Sequence, residues 1–217
     1  MSTETEINTL SNLLRTRTAM DHSNAESGGF TTALVQGEVP FEGYVDMLAQ
    51  HQYAYEVLER VSKAFASDPD IGAFIDEKLY RLEALDADLV DLAGPDWKSV
   101  YPASPATVRY CARLEATTAN PVAHLAHHYT RYLGDLSGGK MIGRVAARVY
   151  EFKDGYGGRF AQFTQIDDAN AYRNHYRELL DGLNWSHEQQ EEMIAEVQEA
   201  YNCNTDVFGE LARYLAK

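Results

Sequence analysis

The segment Arg131-Tyr132-Leu133-Gly134-Asp135-Leu136-Ser137-Gly138-Gly139-Lys140-Met141-Ile142-Gly143 sets four glycines and an aspartate inside a helical apolar pattern. Leu125, Tyr129, Tyr132, Leu133 and Leu136 lead into it, and Met141, Ile142, Val145 and Val149 lead out, at three- and four-residue steps. That period predicts helix on both sides. A glycine in a helix interior costs about 1 kcal/mol relative to alanine. Four of them need a reason, either a kink or the close approach of bare backbone to something. Gly134 and Gly138 are one turn apart, as are Gly139 and Gly143, so much of one face is predicted to lack side chains. Asp135 borders that face. A flat ligand could lie there with a carboxylate at its edge, the alternative being a small-residue seam between two helices.

The chain has seven histidines: His22, His51, His124, His127, His128, His175 and His187. His22 has Glu26 four residues later, a spacing that lets a carboxylate orient an imidazole through one ring nitrogen. An exposed pair on a helix surface is the plainer reading. His124 and His128 are one turn apart and could chelate a metal, but no Glu-x-x-His pairing completes a di-iron bundle. Arg173 and Arg177 are also one turn apart, and Arg15 and Arg17 add positive charge shortly before His22. Arginines in such positions suit the carboxylates of a ligand, or else form a solvated basic face.

These residues are positioned by helices throughout, because strand signals are nearly absent. Expected helices run from near Glu6 to Ala25, briefly through Leu34 to Gly37, and from Pro40 to about Ala66. Further ones run from Phe74 to Leu92, Ala106 to Thr118, Pro121 to Tyr150, Asp167 to Leu183 and Ser186 to Leu215. Ser27-Gly28-Gly29, Gly94-Pro95 and Gly155–Gly158 are breaks. Trp97 to Pro105 is expected to be an ordered loop. Ser186 with Gln189 fits a capping box. At 217 residues without repeats or linkers, the expectation is one all-α domain over 1–217.

A net charge of −14 argues against nucleic acid and anionic membranes as partners. Met1 to Asn8 is polar and acidic, with no signal-peptide pattern. No apolar run reaches the ~18 residues of a membrane span. Two distant cysteines, Cys111 and Cys203, suit a reducing cytoplasm. The expectation is a soluble cytoplasmic protein, monomeric, with no membrane partner.

The string Arg131 to Gly139 closely resembles the distal-helix signature of the haem oxygenases. His22-Ser23-Asn24-Ala25-Glu26-Ser27-Gly28-Gly29-Phe30 resembles their proximal-helix motif, and the likeness extends from about Leu10 to Leu211. It implies an all-α, single-domain helical bundle with haem sandwiched between a proximal helix and a kinked, glycine-rich distal helix. By the same resemblance His22 is the axial ligand of the haem iron, supported by Glu26. Asp135, Tyr55 and Arg131 belong to a distal water network, and Gly134, Gly138 and Gly139 approach the haem, a Gly139 N–H donating to bound O2. Arg15, Tyr129, Arg173 and Arg177 match positions near the haem propionates. Tyr201, Asn204 and Phe208 pack around the pocket. Ala19 stands where relatives often carry a basic residue.

The implied reaction is cleavage of haem by O2 and electrons to biliverdin, carbon monoxide and ferrous iron, via ferric hydroperoxide and by default at the α-meso carbon. A ferredoxin or an NAD(P)H-dependent reductase is the implied external electron donor. Three alternatives share the sequence features: a haem-sequestering carrier, a thiamin-degrading enzyme of the same fold with a cysteine nucleophile, and a helical interaction protein with an acidic face.

Overall fold

Apolar stripes at helical spacing and a set of strong helix-end signals build the molecule. The computed structural model describes residues 9–153 and 155–215, so the expected start of the first helix lies outside the described residues. The helices are α1 (Leu10–Arg17), α2 (Ala19–Glu26), α3 (Gly29–Gln36), α4 (Phe41–Ala64), α5 (Leu82–Ala93) and α6 (Trp97–Val100). They continue with α7 (Pro105–Ala116), α8 (Pro121–Gly134), α9 (Lys140–Val149), α10 (Ala169–Asp181) and α11 (His187–Leu211). No strand occurs among the described residues.

The ends follow local chemistry. Pro105 and Pro121 each open a helix behind an N-cap, Ser104 and Asn120, whose side chain accepts from the third helical residue; proline suits this place because its missing N–H would be unpaired there anyway. The Ser186–Gln189 capping box is complete in both directions. Gly37 closes α3 at φ 77°, a left-handed conformation that glycine adopts without penalty. A Cβ added there would lie 2.7 Å from Val149 Cγ2 of α9. Gly37→Ala is therefore expected to cost about 1–3 kcal/mol from backbone strain and the clash combined. A urea melt that matched wild type would refute this.

Three expectations change in detail. The first helix breaks at Thr18, which leaves helical geometry at φ −109°, ψ 10° and whose hydroxyl donates 2.7 Å to the Leu14 carbonyl beside the backbone bond. The stretch before Leu82 is not helix but two 3₁₀ turns, Gly72–Phe74 and Glu77–Leu79. Here the Asp76 side chain accepts from the Lys78 amide and redirects the backbone. The expected loop from Trp97 contains the short α6, with Trp97 buried.

The long α4 runs through the centre, with Tyr44, Val45, Leu48, Tyr55 and Leu58 at most 1% exposed. It packs against α5 and α7, while α11 packs against α8 and α2. The α8 face that meets this core carries His124, His127 and His128, all fully buried. They do not form a metal site. His124 pairs with Ser62 Oγ at 2.9 Å and Thr117 Oγ1 at 3.1 Å, and His128 pairs with Tyr176 at 2.9 Å. No group of three or more histidine, cysteine, aspartate or glutamate side chains among the described residues could hold a metal ion.

Burial lowers His51 and His124 to about 3 and drives His128 well below its ordinary 6.5. In the unfolded chain these imidazoles take protons as pH falls through about 6.5, whereas the folded protein resists until about 3. The unfolded state thus binds more protons in that window, and stability falls as pH drops below 6.5, by up to about 1.4 kcal/mol per pH unit for each group. Burial raises Glu59 and Asp88, which opposes the trend above the ordinary carboxylate range. The expected melting temperature falls by roughly 5–10 °C between pH 6.5 and 5; a flat profile would contradict the buried neutral histidines.

Candidate active site

The glycine-rich segment is where the helix period fails. Asp135–Gly139 forms a π turn between α8 and α9, so the two helices are one rod with a widened turn, the local device that most often marks function in a helix. The four glycines divide between two sides of this rod. Cβ atoms added at Gly134 and Gly138 would meet nothing within 4 Å. One added at Gly139 would lie 3.9 Å from the Ala161 Cα, and one at Gly143 only 2.7 Å from the Ala161 Cβ. Only Gly134 and Gly138 therefore present bare backbone to open space; Gly139 and Gly143 are the packing seam.

Asp135 sits at the border of the open side. Tyr55 of α4 donates a hydrogen bond to its Oδ2. The Arg131 guanidinium lies 4.8 Å over the Tyr55 ring and donates through Nη1 to Asn204 Oδ1 of α11 at 2.7 Å. Burial raises the Asp135 carboxyl above its usual value, against the lowering influence of Arg131, the Tyr55 hydrogen bond and Arg81. Arg131 keeps two buried nitrogens, Nε and Nη2, without partners. Buried donors without partners mark a place where water or ligand belongs. The buried Tyr110 hydroxyl is also unpartnered. It joins Gln50, His51, Arg131, Asn204 and Phe208 around a small cavity. Sequence reasoning missed Tyr110 and His51 here, although His51 stands one turn before Tyr55 on the same face of α4.

On α2, His22 Nδ1 lies 3.3 Å from Glu26 Oε2. That contact engages Nδ1 and leaves Nε2 to a ligand. The His22 side chain is 49% exposed, and Tyr201 of α11 packs edge-on against it at 5.5 Å. Phe208, two turns further along α11, stacks on Phe30 at 6.0 Å and contacts His51 at 5.8 Å. One helix, α11, thus touches both His22, through Tyr201, and Arg131, through Asn204.

Arg15, Arg173 and Arg177, the arginines expected near the propionates, hydrogen-bond to neutral side chains. Arg15 donates to Asn12 Oδ1 at 2.6 Å and Arg177 to Asn174 Oδ1 at 3.0 Å. Arg173 donates to Ser137 and Asn170, and its Nε is buried without a partner. Through Ser137 it reaches the π turn itself, a link not legible from the sequence. Tyr129 is raised by burial and lowered by the nearby charges of Arg177 and Arg15, so these three share one edge. Arg17 differs, being paired with Glu191. Cations whose side chains bond only neutral groups are available to the carboxylates of an anionic ligand.

Fold and site together define an all-α protein with a half-exposed histidine on α2, bare backbone on the α8–α9 rod and an edge of arginines bonded only to neutral side chains. The family model described as heme oxygenase matches residues 8–210, and the chain belongs to the haem oxygenase family. Its similar relatives include heme oxygenase 1 of Nostoc sp., 32% identical over 96% of this chain and 88% of that protein. Human heme oxygenase 1 is likewise 32% identical, over 95% of this chain and 73% of that protein. Among solved structures, heme oxygenase-1 of Synechocystis sp. in complex with heme has a TM-score of 0.88 at 31% identity, covering 94% of this chain and 92% of that one. The heme oxygenase of Leptospira interrogans also has a TM-score of 0.88, at 30% identity, over 93% of this chain and 99% of that one. The chain is accordingly an enzyme of the haem oxygenase type, and haem is its substrate. No helix among the described residues is long and apolar enough to cross a membrane.

Proposed function

We propose that the chain cleaves haem to biliverdin, carbon monoxide and ferrous iron, with His22 as the axial ligand and Asp135 as the distal proton-handling group. The observation that carries this reading is the occurrence together of a half-engaged histidine and bare, carboxylate-bordered backbone. A histidine with its Nδ1 engaged by Glu26 stands on α2, and the only bare backbone open to space on the α8–α9 rod is bordered by a carboxylate held by Tyr55. When bound, haem supplies the iron at which O2 is reduced and the meso edge that is oxygenated.

This chain's residues do the rest. Glu26 accepts from the His22 Nδ1–H and keeps Nε2 directed outward as a neutral ligand. Gly134 and Gly138 let backbone approach the haem face, whereas Gly139, which the family resemblance implies as donor to O2, lies on the Ala161 side of the rod. Asp135, with Tyr55 and Arg131, holds water at the open side and delivers a proton through it. A water-held proton favours retention of the O–O bond until the meso carbon is attacked, whereas a side-chain acid at the oxygen would favour peroxidase chemistry. Arg15, Arg173, Arg177 and the Tyr129 hydroxyl hold the propionates, and Phe208 closes the pocket wall. Electrons come from an external ferredoxin or NAD(P)H-dependent reductase, and the protein works as a cytoplasmic monomer.

Hemin titration tests the reading: a one-to-one Soret shift supports it, and no shift would sink it. Arg173→Ala combined with Arg177→Ala is expected to weaken hemin binding by about 10–100-fold, since each charge-assisted pair is worth roughly 1.5–3 kcal/mol before solvent screening at this half-open edge reduces it. An unchanged affinity would remove these arginines from the site. The thiamin-degrading alternative is disfavoured by both cysteines. Burial raises the Cys111 and Cys203 thiols to about 11, leaving little nucleophilic thiolate.

A further inference from the structure

The distal backbone needs something to fix its height above the ligand, because a Cβ added at Gly134 or Gly138 would meet no other part of the protein within 4 Å. We propose that Ala161, seated against Gly143 and clamped by Arg81, is the backstop of the distal helix and sets how closely its π turn approaches the haem. The proposal rests on the haem-cleaving reading above and makes Ala161 and Gly143 positioning residues.

The clamp is unusually well built for a loop. Phe160 and Ala161 lie in a 3₁₀ turn, Arg159–Ala161, between α9 and α10. The Arg81 side chain, 6% exposed, donates through Nη1 to the carbonyls flanking Ala161, Gln162 at 2.7 Å and Phe160 at 3.4 Å. Its Nε donates to Leu79 O at 2.8 Å, and the guanidinium lies 3.8 Å over the Phe163 ring. Glu59 of α4 accepts from the backbone amides of Arg81 and Leu82, the latter at 2.9 Å. On the other side, Asp88 of α5 accepts from the Phe160 amide at 2.9 Å and from Arg159 at 3.1 Å. A buried cation whose donors are spent on loop carbonyls is a costly element to retain for packing alone. Here it ties the strap to α4, the helix that also supplies Tyr55.

The contact that the clamp backs is tight. Glycine at 143 lets the rod seat on the Ala161 methyl, and a Cβ there would stand 2.7 Å from that methyl, closer than carbon atoms can lie. Because the strap is held at both flanking carbonyls and an amide, it resists displacement. The rod, facing open space at Gly134 and Gly138, yields instead. Added volume at 143 therefore pushes the π turn toward the haem side, and volume removed at 161 lets it fall back.

A reciprocal swap tests this: Gly143→Ala, Ala161→Gly and the double variant. Amide hydrogen exchange of residues 134–143 in the apo-protein reads the π turn without haem. Hemin affinity and the ratio of biliverdin isomers then read its height above the ligand. Gly143→Ala is expected to speed exchange in the π turn, weaken hemin binding about tenfold, roughly the effect of 1.4 kcal/mol, and alter the isomer ratio. The double variant, with one methyl moved across the seam, is expected to restore all three, as coupled neighbours do in a double-mutant cycle. Ala161→Gly alone is expected to broaden the isomer mixture in a protein that still melts cooperatively. If Gly143→Ala fails to fold, the Ala161→Gly result decides: wild-type exchange and a wild-type isomer ratio overturn the backstop. So does a folded double variant without recovery. Failure of wild type to cleave haem at all would instead refute the underlying reading, and the apo exchange data would stand apart from it.

Discussion

His22→Ala is expected to reduce haem cleavage to background while the protein still folds and still takes up hemin. His22 is half exposed and packs edge-on against Tyr201, so the truncation is expected to change stability by no more than about 0.5 kcal/mol. The arginine edge and the bare glycine surface remain, and hemin binds weakly through them. Added imidazole, entering the space of the lost side chain, is expected to restore a substantial part of turnover by replacing the ligand. Full activity in the variant would place the ligand elsewhere. Loss of activity that imidazole cannot repair would assign His22 to structure instead of ligation.

Asp135→Ala is expected to have the second largest effect, lowering biliverdin formation by about 10²–10⁴-fold, the usual contribution of a positioned proton-transfer group. It strips Tyr55 of its acceptor and leaves Arg131 without the nearby carboxylate. Water proposed to be held at the open side would lose its anchor, and peroxide-driven oxidation of an added phenol is expected to rise as cleavage falls. Tyr55→Phe keeps the carboxylate and is expected to cost less than Asp135→Ala. The wild-type pH profile should agree: burial raises the Asp135 carboxyl, so the ionised form that accepts from Tyr55 is lost at a higher pH than for an ordinary aspartate as acid is added. Equal turnover and equal phenol oxidation in Asp135→Ala would remove it from the chemistry.

Much of this was legible before any coordinates. Gly134, Asp135, Gly138 and Gly139 announce themselves because glycine inside a helical period is costly, and the π turn is the physical answer to that cost. His22 and Glu26 are readable because one helical turn separates them. What spacing cannot show is which neighbour each side chain finds. The bare face expected from all four glycines proved to be two faces, since the widened turn and the position of Ala161 decide which way each points. Arg15, Arg173 and Arg177 could be marked as cations, but only the fold shows that they lack carboxylate partners while Arg17 has one. Arg81, Tyr110 and Ala161 had no sequence signal at all. Their roles come from contacts between separate elements, as between Arg81 and Gln162.

The most direct test of the account is a single aerobic turnover of the protein loaded with one equivalent of hemin. Ascorbate supplies electrons, catalase removes free peroxide, and the visible spectrum is followed to completion. The account predicts loss of the Soret band, release of carbon monoxide and appearance of a red-absorbing bilin. A Soret band that persists through repeated reduction and oxygenation, with no carbon monoxide released, would contradict it and leave a haem carrier.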